Sequence, residues 1–83
     1  MRTIEVLGSG CANCHRLAAN AREAAAIAGV EANVVHVTDP GEIVARGVMS
    51  TPGLVIDGIV VSAGRVPSAG AIASWLSDQP AVS

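Results

Sequence analysis

The sequence has no Phe, no Tyr and a single Trp, although 51% of its 83 residues are hydrophobic. Its core must therefore be built from Ala, Val, Ile and Leu. It also has no Lys, and its five basic residues, all Arg, are scattered. A nucleic-acid interface needs a basic stripe, and a single-strand binder adds aromatic stacking platforms. With a net charge of −2 and one Trp, the chain offers neither, so no nucleic-acid partner is expected. No apolar run approaches the roughly 20 residues of a membrane span, so no membrane partner is expected. No positively charged start followed by a long apolar stretch precedes the first strand pattern, and the expected compartment is the cytoplasm. There an adjacent Cys pair is more often catalytic or metal-binding than a structural staple. The two Cys of this chain are Cys11 and Cys14. They enclose too short a loop for chain entropy to stabilise the fold much.

The length allows one domain, expected over 1–78, with a frayed tail at 79–83. Residues 3–7 read as a buried strand ending at Gly8-Ser9-Gly10. Residues 12–28 lack Gly and Pro and read as a helix. Its apolar face carries Cys14, Leu17, Ala18, Ala21, Ala25 and Ala28, with Arg16, Asn20 and Glu23 opposite. Gly29 suits its C-terminal cap. Residues 33–37 read as a second strand. Asp39, Pro40 and Glu42 then supply a cap, a first helical residue and a capping box for a short helix ending near Gly47. Asp57-Gly58 between two β-branched runs signals a type I′ hairpin. Pro67-Ser68 opens a last helix, with Ile72, Trp75 and Leu76 facing inward. The order β-α-β-α-β-β-α makes the first strand pair parallel, joined by a right-handed crossover. The expected fold class is α/β, a three-layer α/β/α sandwich around a four-stranded mixed sheet.

Four chemistries compete for the Cys pair. Cys11 stands at the start of a helix, where free N–H groups and the macrodipole favour a thiolate. Cys14, one turn on and facing the core, is shielded yet within reach of Cys11. That asymmetry suits two-step thiol–disulfide exchange, with Cys11 attacking a substrate disulfide and Cys14 resolving the mixed disulfide. Cys11-Ala12-Asn13-Cys14-His15 also matches the C-x-x-C-H haem attachment string, with His15 and Met49 as axial ligands. Haem proteins of that kind are generally exported and helical, against the hairpin seen here. A soft metal or metalloid is a third partner for two thiolates. A structural zinc site needs about four ligands, and only His15 and His36 are available to join the Cys. Domains that carry soft metals on such a pair also follow a different element order. Fourth, Gly8-Ser9-Gly10 begins a dinucleotide fingerprint, but Asn13 stands at the third glycine position and the chain is too short.

The chain resembles the thioredoxin-like superfamily, and within it the small redox-active disulfide proteins of bacteria and archaea. The likeness rests on the stretches 6–14, 37–39, 47–58 and 64–68, and on the element order. Its specific feature is C-x-x-C followed some forty residues later by Thr51-Pro52 before a hairpin strand. The resemblance implies a cis Thr51–Pro52 bond beside Cys11, with the Thr51 backbone docking an extended substrate. It implies a redox enzyme, a thiol-disulfide oxidoreductase with no cofactor beyond a Cys11–Cys14 disulfide and no bound metal. Its partners would be a protein or small-molecule disulfide and a reductase or thiol donor.

This chain departs from ordinary thioredoxin at several points. Gly10 replaces the Trp before the first Cys, and Ala12-Asn13 replaces Gly-Pro between the two. The N-terminal strand and helix of the full-length fold are missing. Gly10, Ala12 and Asn13 are thus supporting site residues of unusual type. Glu5, six residues before Cys11, occupies the spacing of thioredoxin's buried acid and would act as a base if it pointed under the Cys pair. The plainer alternative is a carboxylate that reaches solvent or pairs with an Arg. Arg16 and Arg65 read as surface charges, and His36 as a strand histidine. The non-enzymatic rivals are a metal or metalloid carrier using the same pair, and a binding module that has kept the fold.

Overall fold

The computed structural model describes residues 2–8 and 12–78, so the expected tail at 79–83 lies outside the described residues. The elements run β1 (Arg2–Leu7), α1 (Ala12–Ala28), β2 (Ala32–Val37), α2 (Pro40–Ala45), β3 (Gly53–Ile56), β4 (Ile59–Ala63) and α3 (Ala69–Asp78). The sheet order is β2-β1-β3-β4. β1 pairs parallel with β2, and β3 is antiparallel to both β1 and β4. This is the α/β arrangement expected from the sequence.

Strand alternation divides the interior in two. Ile4 and Val6 of β1 and Leu54 and Ile56 of β3 face α1 and α3, forming the larger core with Leu17, Ala18, Ala21, Ala24, Ile72 and Leu76. Leu7 and Val55 face the other way, against Ile43 of α2 and Val48. All four residues of β3 are buried because helices cover both its faces. At the sheet edge, Ile59 and Val60 of β4 are exposed. A β-bulge near Leu54 and Val55 shifts the β3–β4 register there.

The helix ends show how local sequence sets these elements. The Asp39 carboxylate accepts from the Gly41 N–H at 2.9 Å and caps α2. The capping box expected of Glu42 has a competitor, since its carboxylate lies 3.6 Å from the Arg46 guanidinium. α3 begins two residues later than the sequence suggested. Ser68 is its cap, with Oγ accepting from the Ala71 N–H at 3.2 Å. Asn20, expected on the polar stripe of α1, is half-buried and donates to the Pro67 carbonyl at 3.0 Å, tying the two helices together. Trp75 is partly buried against the larger core.

The Asp57-Gly58 turn has the positive φ values, 50° and 84°, of a type I′ hairpin. Asp57 does more than turn the chain. Its carboxylate accepts from the Thr3 N–H at 2.9 Å and from the Arg2 side chain. Arg2 in turn donates to the Leu76 carbonyl at 3.0 Å, near the end of α3. The hairpin, the start of β1 and the end of α3 are thereby joined by one carboxylate. The Thr3 N–H, seconded by Arg2, holds the Asp57 carboxyl below the usual aspartate pKa. A lowered folded-state pKa contributes stability that is present at neutral pH and lost as pH falls through it.

Two stability measurements follow from these contacts. Asp57→Asn keeps a residue suited to the turn but removes the charge, so it is less stable than the parent at pH 7. The gap narrows as pH falls below about 4, where the carboxylate begins to protonate in the unfolded chain before it does in the folded one. Urea unfolding at both pH values reads this, and a gap that does not change with pH refutes it. The second concerns Ser62, which is buried opposite Leu54, with no described residue bonded to its Oγ. A buried hydroxyl without a partner costs free energy. Ser62→Ala is therefore expected to raise the unfolding free energy by about 1 kcal/mol, and a destabilised variant would contradict this.

Candidate active site

Cys14 lies in the first turn of α1 and is 1% exposed. Alternation on the helix turns it inward with Leu17, Ala18 and Ala21, toward Ile4 and Val6. Ala12 and Asn13, just before it, are exposed. Cys11 and Gly10 lie outside the described residues, as does Ser9.

Gly8 is not among the glycines with positive φ. What it provides is closeness. A Cβ on Gly8 would stand 2.2 Å from Cys14 Sγ, so the sulfur occupies the space that any side chain there would need. The same point lies 3.8 Å from Thr51 Cβ. Gly8 is thus the floor on which the sulfur of α1 and the loop before β3 meet. The Gly8 N–H donates to the Val37 carbonyl at 3.0 Å and continues the β1–β2 ladder, which fixes that floor.

The Thr51–Pro52 peptide bond is cis. Pro52 is buried and Thr51 is exposed. The loop is held from its far side, where the Gly64 N–H donates to the Pro52 carbonyl at 2.9 Å. Val48 packs onto Gly53, where a Cβ would meet it at 2.8 Å. Thr51 therefore stands on a braced loop, beside Cys14.

Glu5 is placed apart from the sulfur. It shares with Leu7 the sheet face that α2 covers, whereas Cys14 sits on the α1 face. Its carboxylate accepts three hydrogen bonds from Arg46, the shortest from Nη2 at 2.7 Å. These bonds raise the Arg46 pKa above its ordinary value. Of the two readings of Glu5, the Arg pair is the one observed, and the base under the Cys pair is corrected by strand parity. Arg16 and Arg65 are exposed, as expected of surface charges. Met49, 89% exposed, lines a groove with α2, while His15 meets His36 on the α1 side. The two residues expected as haem ligands thus belong to opposite sides of the sheet. Among the described residues, no group of three or more His, Cys, Asp or Glu could hold a metal ion. No helix among them is long and apolar enough to cross a membrane.

The sequence reading missed the groove beside Thr51. It is open, about 300 Å³ in volume, and walled by Pro40, Ile43, Val44, Val48 and Met49 with Thr51 and Thr38. Its signal in the sequence was Val44 beside Ile43 in a helix too short to bury both. Val44 is left 66% exposed.

Comparison with known proteins agrees with this geometry. A family model described as "Thioredoxin domain" matches residues 2–77. The chain belongs to the thioredoxin domain family. It is 39% identical over 77 residues to a protein named thioredoxin from Methanothermobacter thermautotrophicus, covering 93% of this chain and 100% of that one. It is 38% identical over 68 residues to a thioredoxin from Methanocaldococcus jannaschii, covering 82% of this chain and 78% of that one.

The Gly8 contact yields a prediction specific to this thioredoxin domain. Gly8→Ala sets a methyl group against a buried sulfur with one rotatable bond, and overpacking of this kind costs about 1–3 kcal/mol. Urea unfolding followed by Trp75 fluorescence measures it. An unchanged midpoint would show that Cys14 moves aside freely.

Proposed function

We propose that this thioredoxin-family protein is a thiol–disulfide oxidoreductase working through Cys11 and Cys14. The observation that carries the reading is the position of Cys14. It is buried in the first turn of α1, three residues after Cys11, and packed against Gly8 beside Thr51.

The reaction needs two exchanges. The Cys11 thiolate attacks one sulfur of a substrate disulfide. A Cys11–substrate disulfide forms and the other substrate sulfur leaves as a thiolate. The Cys14 thiolate then attacks the Cys11 sulfur, closing the Cys11–Cys14 disulfide and releasing the second substrate thiol. Two electrons pass from the protein to the substrate. A dithiol reductant, or a reductase that supplies one, returns them by the reverse exchange. A reducing cytoplasm supplies such donors, and that is the compartment proposed.

Burial gives Cys14 its role in this scheme. A shielded thiol does not compete for the incoming substrate, but it is at hand once Cys11 is covalently occupied. Ala12 and Asn13 are the two residues between the cysteines. Thr51, exposed before Pro52, offers its backbone to an extended substrate segment, and the groove walled by Val44 and Met49 receives an apolar side chain of that segment. Pro52 has no N–H to compete for the substrate's hydrogen bonds. Glu5, on the other face of the sheet, takes no part.

The test is trapping. The parent reduces a model disulfide catalytically when a dithiol reductant is present. Cys14→Ser accumulates a mixed disulfide, one substrate per chain through Cys11, seen by mass spectrometry and reversed by excess thiol. Cys11→Ser forms no adduct. Absence of turnover and of trapping, with tight stoichiometric binding of a soft cation to the reduced pair, would favour the metal or metalloid carrier instead.

A further inference from the structure

The chain has two histidines, and they lie 21 positions apart in different elements. His15 follows Cys14 on α1, and His36 stands near the end of β2, level with Val6 of β1. Their rings nevertheless meet. The centroids are 5.7 Å apart and the planes are tilted by 43°. Both residues are exposed, and among the described residues neither imidazole hydrogen-bonds to another side chain or to the backbone. Two metal-binding rings are thus side by side in water with their nitrogens uncommitted.

The separation suits a shared cation. A divalent transition metal sits about 2.0–2.1 Å from a ligating imidazole nitrogen. Two rings on one such ion have centroids roughly 4.5–6.5 Å apart, across the usual range of ligand angles. The observed spacing falls inside that range, and the tilt argues against ring stacking. The placement is also firm. His36 is fixed by the parallel β1–β2 ladder, and His15 by the helix that packs on it.

The geometry points to a two-imidazole binding site for a borderline divalent cation, such as Zn²⁺, Ni²⁺ or Cu²⁺, formed by His15 and His36. Imidazole suits these ions, while oxygen-seeking Mg²⁺ and Ca²⁺ find no carboxylate here. With two protein ligands the remaining positions go to water, so the site is exchangeable rather than a structural staple. It uses neither sulfur and stands independently of the proposed redox reaction.

The chain's two histidines make the experiment clean. Untagged protein, with its thiols oxidised, is titrated with Zn²⁺ while the imidazole C–H resonances are followed by NMR. The expected result is that both rings shift together along one binding curve that saturates at one equivalent. His15→Gln and His36→Gln, both at exposed positions, assign the signals. Loss of even an outer partner of a metal ligand costs ~10–100-fold. Loss of one ligand here is therefore expected to weaken binding at least ~10-fold. The proposal is overturned if a single ring responds, if the two rings follow different curves, or if either variant binds Zn²⁺ as tightly as the parent. Zinc held by sulfur leaves His36 unmoved and so counts against it.

Discussion

Helix α1 lies on β1 through buried alanines, Leu17 and one cysteine sulfur, packed against Ile4 and Val6. Ala18, Ala21, Ala24 and Ala25 are all buried along it, and at its N-terminal end Cys14 rests on the bare backbone of Gly8. This close approach governs the rest of the molecule. A helix seated on short side chains leaves no room for an aromatic between it and β1. It also brings the first turn of α1 level with the Thr51–Pro52 loop, which a bulkier interface would hold apart. Dispersion contacts at this range are individually weak but numerous, and any added atom is felt at once. The same closeness that makes the small core cohesive therefore positions the buried sulfur.

The other face of the sheet is assembled by different means. α2 has six residues, too few to persist alone. It is held by the Asp39 cap, by Ile43 in the smaller core, and by Arg46 reaching back to Glu5. The Glu5–Arg46 pair is thus a tether from helix to sheet, fixing one wall of the groove in which Val44 and Met49 stand exposed. A longer helix would have covered those residues and closed the groove. The site side and the groove side meet at Thr51, which neighbours Cys14 through Gly8 and also lines the groove.

Much of this was legible in local sequence, and the exceptions share a cause. The bounds of α1, the helix-ending Gly29 and Gly47 and the Asp57-Gly58 turn depend on short-range signals and appear where those signals place them. The parallel β1–β2 pairing follows from the helix between them. Ser68 shows where local reading slips by two residues, because Pro67 and Ser68 both favour a helix start and only the Ala71 N–H bond to Ser68 Oγ decides. What local reading leaves open concerns faces. Whether Glu5 points under the Cys pair depends on which side of β1 receives α1. Periodicity gives the alternation of a strand but not the side on which the helix lands. Arg2 with Asp57, and His15 with His36, are likewise brought together only by the sheet order. Gly8 is a subtler case, because a glycine before a helix has two uses, positive φ and close approach, and only coordinates separate them.

The scarcity of aromatic residues bears on how a chain this small can carry the proposed chemistry. Thiol–disulfide exchange asks for no enclosed pocket. The substrate supplies its own leaving group, the nucleophile is a thiolate, and the transition state is a line of three sulfurs. What the protein must add is an open approach to one sulfur, a second sulfur held in reserve, and an edge along which the substrate lies extended. Small side chains serve each need. Gly8 admits the reserved sulfur, Ala12 and Asn13 leave the approach bare, and Thr51 adds little bulk to the edge. Where thioredoxin sets a Trp beside its first Cys, this chain has Gly10, so recognition in the proposed reaction shifts to the groove of Val44, Val48 and Met49. Such a groove selects by apolar contact and not by hydrogen-bond pattern, and discrimination between similar apolar side chains in such a site amounts to only about 1–3 kcal/mol. On the proposed reading, a domain built this way suits a class of exposed disulfides rather than one chosen partner.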